Sequence, residues 1–119
     1  MTPGERLRIA AERLVRVSGG LFVYRRGGAT LTVPARLGIL TTTQRYQWFT
    51  ASETSNWAAP AYVLMVAGDF LPFGGEPTTA DSVLLANFEG AGTPYEVKRW
   101  DKPRIGGVAV KTVLFLEKR

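Results

Sequence analysis

Beyond residue 20 this chain never settles into a helical repeat: its apolar residues fall in short alternating runs, each broken by glycine or proline. The runs at 21–26 and 29–37 flank Gly27-Gly28, the signature of a tight β-hairpin. Further β-prone runs follow at 61–66, 82–88, 95–100 and 108–117, joined by breaker-rich stretches at 89–94 and 101–107. Pro34 has no N–H to give to a ladder, so the second strand is expected to be an edge there or to carry a bulge.

The first residues read differently. Leu7, Ala10, Ala11, Leu14 and Val15 recur at the i, i+3, i+4, i+7, i+8 spacing of one helix face. Thr2 suits the N-cap, Pro3 the first turn, Glu5 the positive end of the dipole, and Gly19-Gly20 the stop. Arg6, Arg13 and Arg16 are left for the wet side, with Glu12 pairing forward to Arg16. One helix followed by strands, with no βαβ alternation, predicts a mainly β fold, a small β-barrel or sandwich of about six strands with one N-terminal amphipathic helix and a long middle loop. The expected layout is a single domain over 1–119, with helix 3–18, barrel 21–118 and a projecting loop 38–60.

The residue inventory narrows the chemistry. The 119 residues include no cysteine and no histidine, which removes disulfides, Ser-His triads, thiolate nucleophiles and the usual zinc, haem and iron-sulfur ligand sets. The acids are scattered, so no enzyme is expected and no cofactor is implied. Asp69, Glu76 and Asp81 share one region but lack the dense alternating oxygens of a calcium loop, and no metal is expected. The four glycine pairs sit outside any phosphate-binding context and read as turns. No stretch has the apolar core of a signal peptide or the length of a membrane span, so a cytoplasm-like compartment and no membrane contact are expected.

With chemistry set aside, the surfaces become the subject. A net charge of +5 and a pI near 10 favour polyanions or acidic protein faces as neighbours. Segment 38–60 has little core periodicity and reads as a long loop or an extended hairpin; loops of such length tend to be functional or ordered by a partner. It interleaves Arg45, Tyr46, Trp48 and Phe49, with Trp57 further on, and Lys98, Arg99 and Trp100 repeat the mixture. Such residues stack bases and neutralise phosphates, and they are also what protein interfaces enrich; the interface reading ranks first. Arg25, Arg26, Arg36, Lys98 and Arg99 are the candidate basic residues facing DNA or a partner.

The order of elements resembles the head-completion proteins of tailed bacteriophages, the stopper or head-closure proteins of the head-tail connector. The resemblance spans nearly the whole chain: the short helix, the hairpin around Tyr24-Arg-Arg-Gly-Gly-Ala-Thr-Leu-Thr, the long middle loop, and the strand before Ala67-Gly-Asp69. It continues through Pro77-Thr-Thr-Ala-Asp-Ser-Val, where Ala80 replaces the family's usual glycine ahead of Asp81, and Gly92-Thr-Pro-Tyr95-Glu-Val97. It implies a small β-barrel with a peripheral helix, forming a homo-oligomeric ring of about twelve subunits below the portal and adaptor. The partners so implied are the portal or adaptor, the tail proteins and packaged double-stranded DNA in the lumen. The location implied is the virion neck, after assembly in the host cytoplasm. Arg45, Tyr46, Trp48 and Phe49 would then make gate or interface contacts. The competing expectation is a free-standing nucleic-acid-binding barrel resembling an OB-fold, with Tyr24, Arg26, Trp48 and Trp100 lining its binding face.

Overall fold

A computed structural model describes residues 1–39, 61–84 and 94–118. Its one described α-helix, α1 (Pro3–Ser18), begins where the sequence places it: the Thr2 hydroxyl accepts the Glu5 N–H at 3.2 Å, and Pro3 fills the first turn. Gly19 ends it, donating its N–H to the Val15 carbonyl at 2.8 Å. Glu12 reaches back to Arg8 at 3.7 Å rather than forward to Arg16.

Among the described residues eight strands follow: β1 (Gly20–Arg26), β2 (Ala29–Ile39), β3 (Ala61–Ala67), β4 (Ser82–Leu84), β5 (Pro94–Asp101), β6 (Arg104–Ile105), β7 (Val108–Ala109) and β8 (Lys111–Lys118). Six of them close into an antiparallel barrel in the order β1-β2-β3-β8-β5-β4, with β4 returning to pair with β1. The expected choice between barrel and sandwich is thus resolved as a barrel. The remaining two, β6 and β7, form a separate ribbon turned by Gly106-Gly107, both at positive φ. This ribbon corrects the expected single closing strand over 108–117, which divides into β7 and β8 around Val110.

The expected loop over 38–60 is corrected at its first two residues. Gly38 and Ile39 belong to β2 and pair with Val63 and Tyr62, while residues 40–60 lie outside the described residues, as do 85–88 of the expected strand 82–88 and 89–93 of the breaker stretch after it. Pro34 sits where β2 is paired to β1 through Leu21 and β3 has not yet joined, since β3 pairs only from Arg36; the missing N–H interrupts no described ladder.

Alternation fills the barrel. Tyr24 from β1, Val33 and Ala35 from β2, Tyr62, Leu64 and Val66 from β3, Val83 from β4, Tyr95 and Val97 from β5, and Leu114 and Leu116 from β8 make one buried cluster. Tyr62 and Tyr95 meet edge to face, with ring centroids 5.1 Å apart. On β5 a register shift between Val97 and Arg99 changes the parity of the strand, so that Trp100 packs against the cluster as Val97 does.

The helix lies on the barrel through its smallest residues. A Cβ on Gly4 would stand 2.2 Å from the Ile105 carbonyl oxygen, and one on Gly19 2.4 Å from that of Ala35, so each end of α1 sits where only glycine fits. Buried Ala11 and Val15 complete the contact face. The expected apolar stripe is therefore divided: Ala11 and Val15 turn inward, while Leu7, Ala10 and Leu14 stay exposed. By intrinsic propensity Gly4→Ala favours a helix by about 0.5–1 kcal/mol. The collision with Ile105 is worth about 1–3 kcal/mol in the other direction. Gly4→Ala is thus expected to lower the urea midpoint, whereas Gly28→Ala, with open space around it, should leave the midpoint nearly unchanged. A stabilised Gly4→Ala protein would contradict this docking.

Candidate functional site

The most demanding chemistry in the molecule is a buried carboxylate. Asp81 is fully buried just ahead of β4, at the end of a Thr78-Thr-Ala-Asp81 turn in which its own N–H donates to the Thr78 carbonyl at 3.1 Å. Thr78 returns two bonds to the carboxylate, from its N–H at 2.9 Å and its hydroxyl at 3.0 Å. The Tyr24 hydroxyl donates to Oδ2 from inside the barrel. Arg26, two residues on along the same strand, closes a fork: Nε to Oδ1 at 2.7 Å and an Nη to Oδ2 at 2.9 Å. That Nη also reaches the Glu76 carbonyl at 3.0 Å.

Five donors thus meet two carboxylate oxygens, drawn from β1 and the turn before β4. Burial pushes the Asp81 pKa up, but the bonds from Arg26, Tyr24 and Thr78 outweigh it and hold the carboxyl at about 2, against an ordinary 3.8. For Tyr24 burial comes first and its bond to the carboxylate second, and both push the phenol pKa far up. The Asp81 carbonyl accepts the Val97 N–H at 3.1 Å, extending the knot to β5. Beside it, Phe73 is held at φ 54, a left-handed conformation costing a bulky residue on the order of 1 kcal/mol. Its ring lies 5.4 Å from the Arg26 guanidinium.

A second polar cluster ties the turn after β3 to the chain after β5. The largely buried Lys102 ammonium contacts the Asp69 and Glu76 carboxylates, the latter at 2.7 Å, and the Phe70 carbonyl at 3.0 Å. The bond from Lys102 lowers the Asp69 pKa, helped by Arg104 at 3.7 Å. Thr112, buried on β8, donates to the Gly68 carbonyl and accepts from the Phe70 N–H, both at 2.9 Å. The three acids weighed as a cation site are therefore each held by a cationic side chain: Asp69 and Glu76 by Lys102, and Asp81 by Arg26.

The basic candidates are not gathered into one patch. Arg25 is half-buried near the hairpin turn, opposite Thr30, while exposed Arg36 lies six residues further along β2, about 20 Å away. Lys98 pairs with Glu96 at 3.3 Å and Glu117 at 3.7 Å, and Arg99 stands exposed beyond the β5 register shift. Arg26 is committed to Asp81. The OB-like binding face is corrected at Tyr24, which is buried inside the barrel, while Trp100 is partly buried against the core cluster. Arg45, Tyr46, Trp48, Phe49 and Trp57 lie outside the described residues. No family model, curated protein or solved structure matches the chain.

The pairing of Asp81 with Tyr24 and Arg26 was not anticipated from sequence. Its one local signal is the Thr78-x-x-Asp81 spacing, which lets the aspartate fold back on its own turn.

A carboxylate whose pKa falls on folding stabilises the fold above its unfolded value and loses that contribution as pH drops through its folded value. Asp81 should contribute about 2 kcal/mol above pH 4, lost as pH falls toward 2. Asp81→Asn is expected to cost about 2–4 kcal/mol at neutral pH and to flatten the acid limb of stability against pH. Urea titrations at several pH values read both effects, and an unchanged acid limb would contradict the assignment. Tyr24→Phe, which keeps the ring and removes one donor, should cost about 1–2 kcal/mol.

Proposed function

We propose that this protein is a structural subunit of the head-tail connector of a tailed bacteriophage, forming a ring that closes the DNA-filled head and offers the tail a docking platform. The observation that carries this reading is the place of Asp81. It stands in the Ala-Asp-Ser-Val stretch that carries the resemblance, and it is a fully buried structural knot rather than a reactive group in a cleft. A motif residue spent on holding the barrel fits a protein whose work is assembly. The closed six-stranded barrel with one peripheral helix agrees with the architecture the resemblance implies.

The competing nucleic-acid module has less support. Of its four proposed contact residues Tyr24 is buried in the core, Trp100 is partly buried and Arg26 is paired with Asp81. Base stacking needs exposed aromatic faces.

In this role the segment 40–60, with Arg45, Tyr46, Trp48, Phe49 and Trp57, meets the lumen or a neighbouring ring. Deleting residues 43–55 is expected to leave the barrel's thermal unfolding in place while yielding particles that lose DNA or fail to join tails. Infectious particles in normal yield would refute the role of the segment.

A further inference from the structure

Residues 69–75 leave the end of β3 and belong to none of the barrel's ladders. Of these residues only Pro72 is buried. Their inner side lies against a core residue: Phe70 meets the Tyr24 ring edge to face, with centroids 5.0 Å apart, and the Phe73 ring stands 6.3 Å from it. The Phe70 N–H donates to the buried Thr112 hydroxyl on β8 at 2.9 Å. The segment is thus a strap laid over Tyr24.

Its fastening differs in kind from that of the barrel. The strands are held by ladders and by the buried Asp81, whereas the strap is held by charge near the surface. The Lys102 ammonium grips the Asp69 carboxylate and the Phe70 carbonyl at the near end, and is itself seated on Glu76 just past the far end. Arg104 adds a looser pair with Asp69 at 3.7 Å. The Lys102 side chain is 9% exposed, but the carboxylates of Asp69 and Glu76 are 38% and 56% exposed, so dissolved ions reach the pair. Glu76 also offers its carbonyl to Arg26, which keeps the far end in place.

Other features favour release. Phe73 is held at φ 54, a conformation that a bulky side chain occupies at a cost, and its ring and Leu71 are already exposed, so outward movement uncovers little further apolar surface there. Gly68, at φ 73, and the Gly74-Gly75 pair stand at the two ends, where a swing needs backbone freedom.

We infer that residues 69–75 open as a unit while the barrel stays closed, with Lys102 as the ionic clasp, so that rising ionic strength loosens the strap and uncovers Tyr24. A lone chain would behave in this way whatever it assembles with, so the connector reading neither supports nor limits the device.

Amide hydrogen exchange of the whole chain, followed residue by residue by NMR and corrected for the rate of an unstructured chain, tests this. Phe70 reports on the strap, and Leu64 and Leu114, paired across β3 and β8, report on the barrel. Phe70 should exchange faster than both, and several-fold faster still on going from about 20 mM to about 0.5 M potassium chloride, with Leu64 and Leu114 unmoved. Lys102→Met, which keeps the stem and removes the charge, should speed Phe70 about tenfold at low salt. It should also abolish the acceleration by salt, because Asp69 and Glu76 then face each other with no ammonium between them to be screened. Asp69→Asn should speed Phe70 several-fold, and it carries the same reading if Lys102→Met does not fold. Exchange of Phe70 only at the rate of Leu64 and Leu114, a Phe70 rate indifferent to salt, or variants that speed all three amides equally would overturn the inference.

Discussion

The barrel closes because one carboxylate is worth burying. Asp81 brings together strands that are far apart in sequence: Tyr24 and Arg26 come from β1, Thr78 from the turn before β4, and Val97 from β5. An ionised carboxyl in an apolar interior is strongly disfavoured unless its oxygens are fully bonded, and here five donors meet that demand. The start of β4, between β1 and β5, is thereby tied to both neighbours. The low pKa of Asp81 expresses the same balance, with bonds outweighing desolvation.

A second constraint decides what the surface becomes. Because α1 meets the barrel through Gly4, Ala11, Val15 and Gly19, it lies close, and its larger residues cannot share that narrow face. Leu7, Leu14 and Val17 are left outside. The Lys102 ammonium, bonded to Asp69 and Glu76, holds in place the turn that carries Leu71 and Phe73.

Much of this fold was legible in the sequence, for identifiable reasons. The Gly27-Gly28 hairpin, the Thr2 cap and the alternation on β1, β2, β3 and β8 are local signals, and local geometry settled them. The division of the helix stripe was not legible, because periodicity tells which residues share a side but not how wide the contact will be. The β6-β7 ribbon was hidden in a stretch of breakers too short for alternation to register. Tyr24 and Arg26 looked like surface residues of a binding face. Their true direction depends on Asp81, 57 and 55 residues away, and no local rule reaches that far. The candidate site residues of the middle segment remain a matter of composition alone, since 40–60 lies outside the described residues.

Together these features are the basis of the proposal that the chain works by fitting between neighbours. The most direct test of that view is the mass and shape of the purified protein, alone and mixed with DNA-filled heads lacking it, by light scattering and negative-stain imaging. A ring of bound protein at the head's exit is the result this account expects. A persistent monomer that ignores the heads and binds oligonucleotide tightly at moderate salt would contradict it, and would point to a free-standing nucleic-acid module.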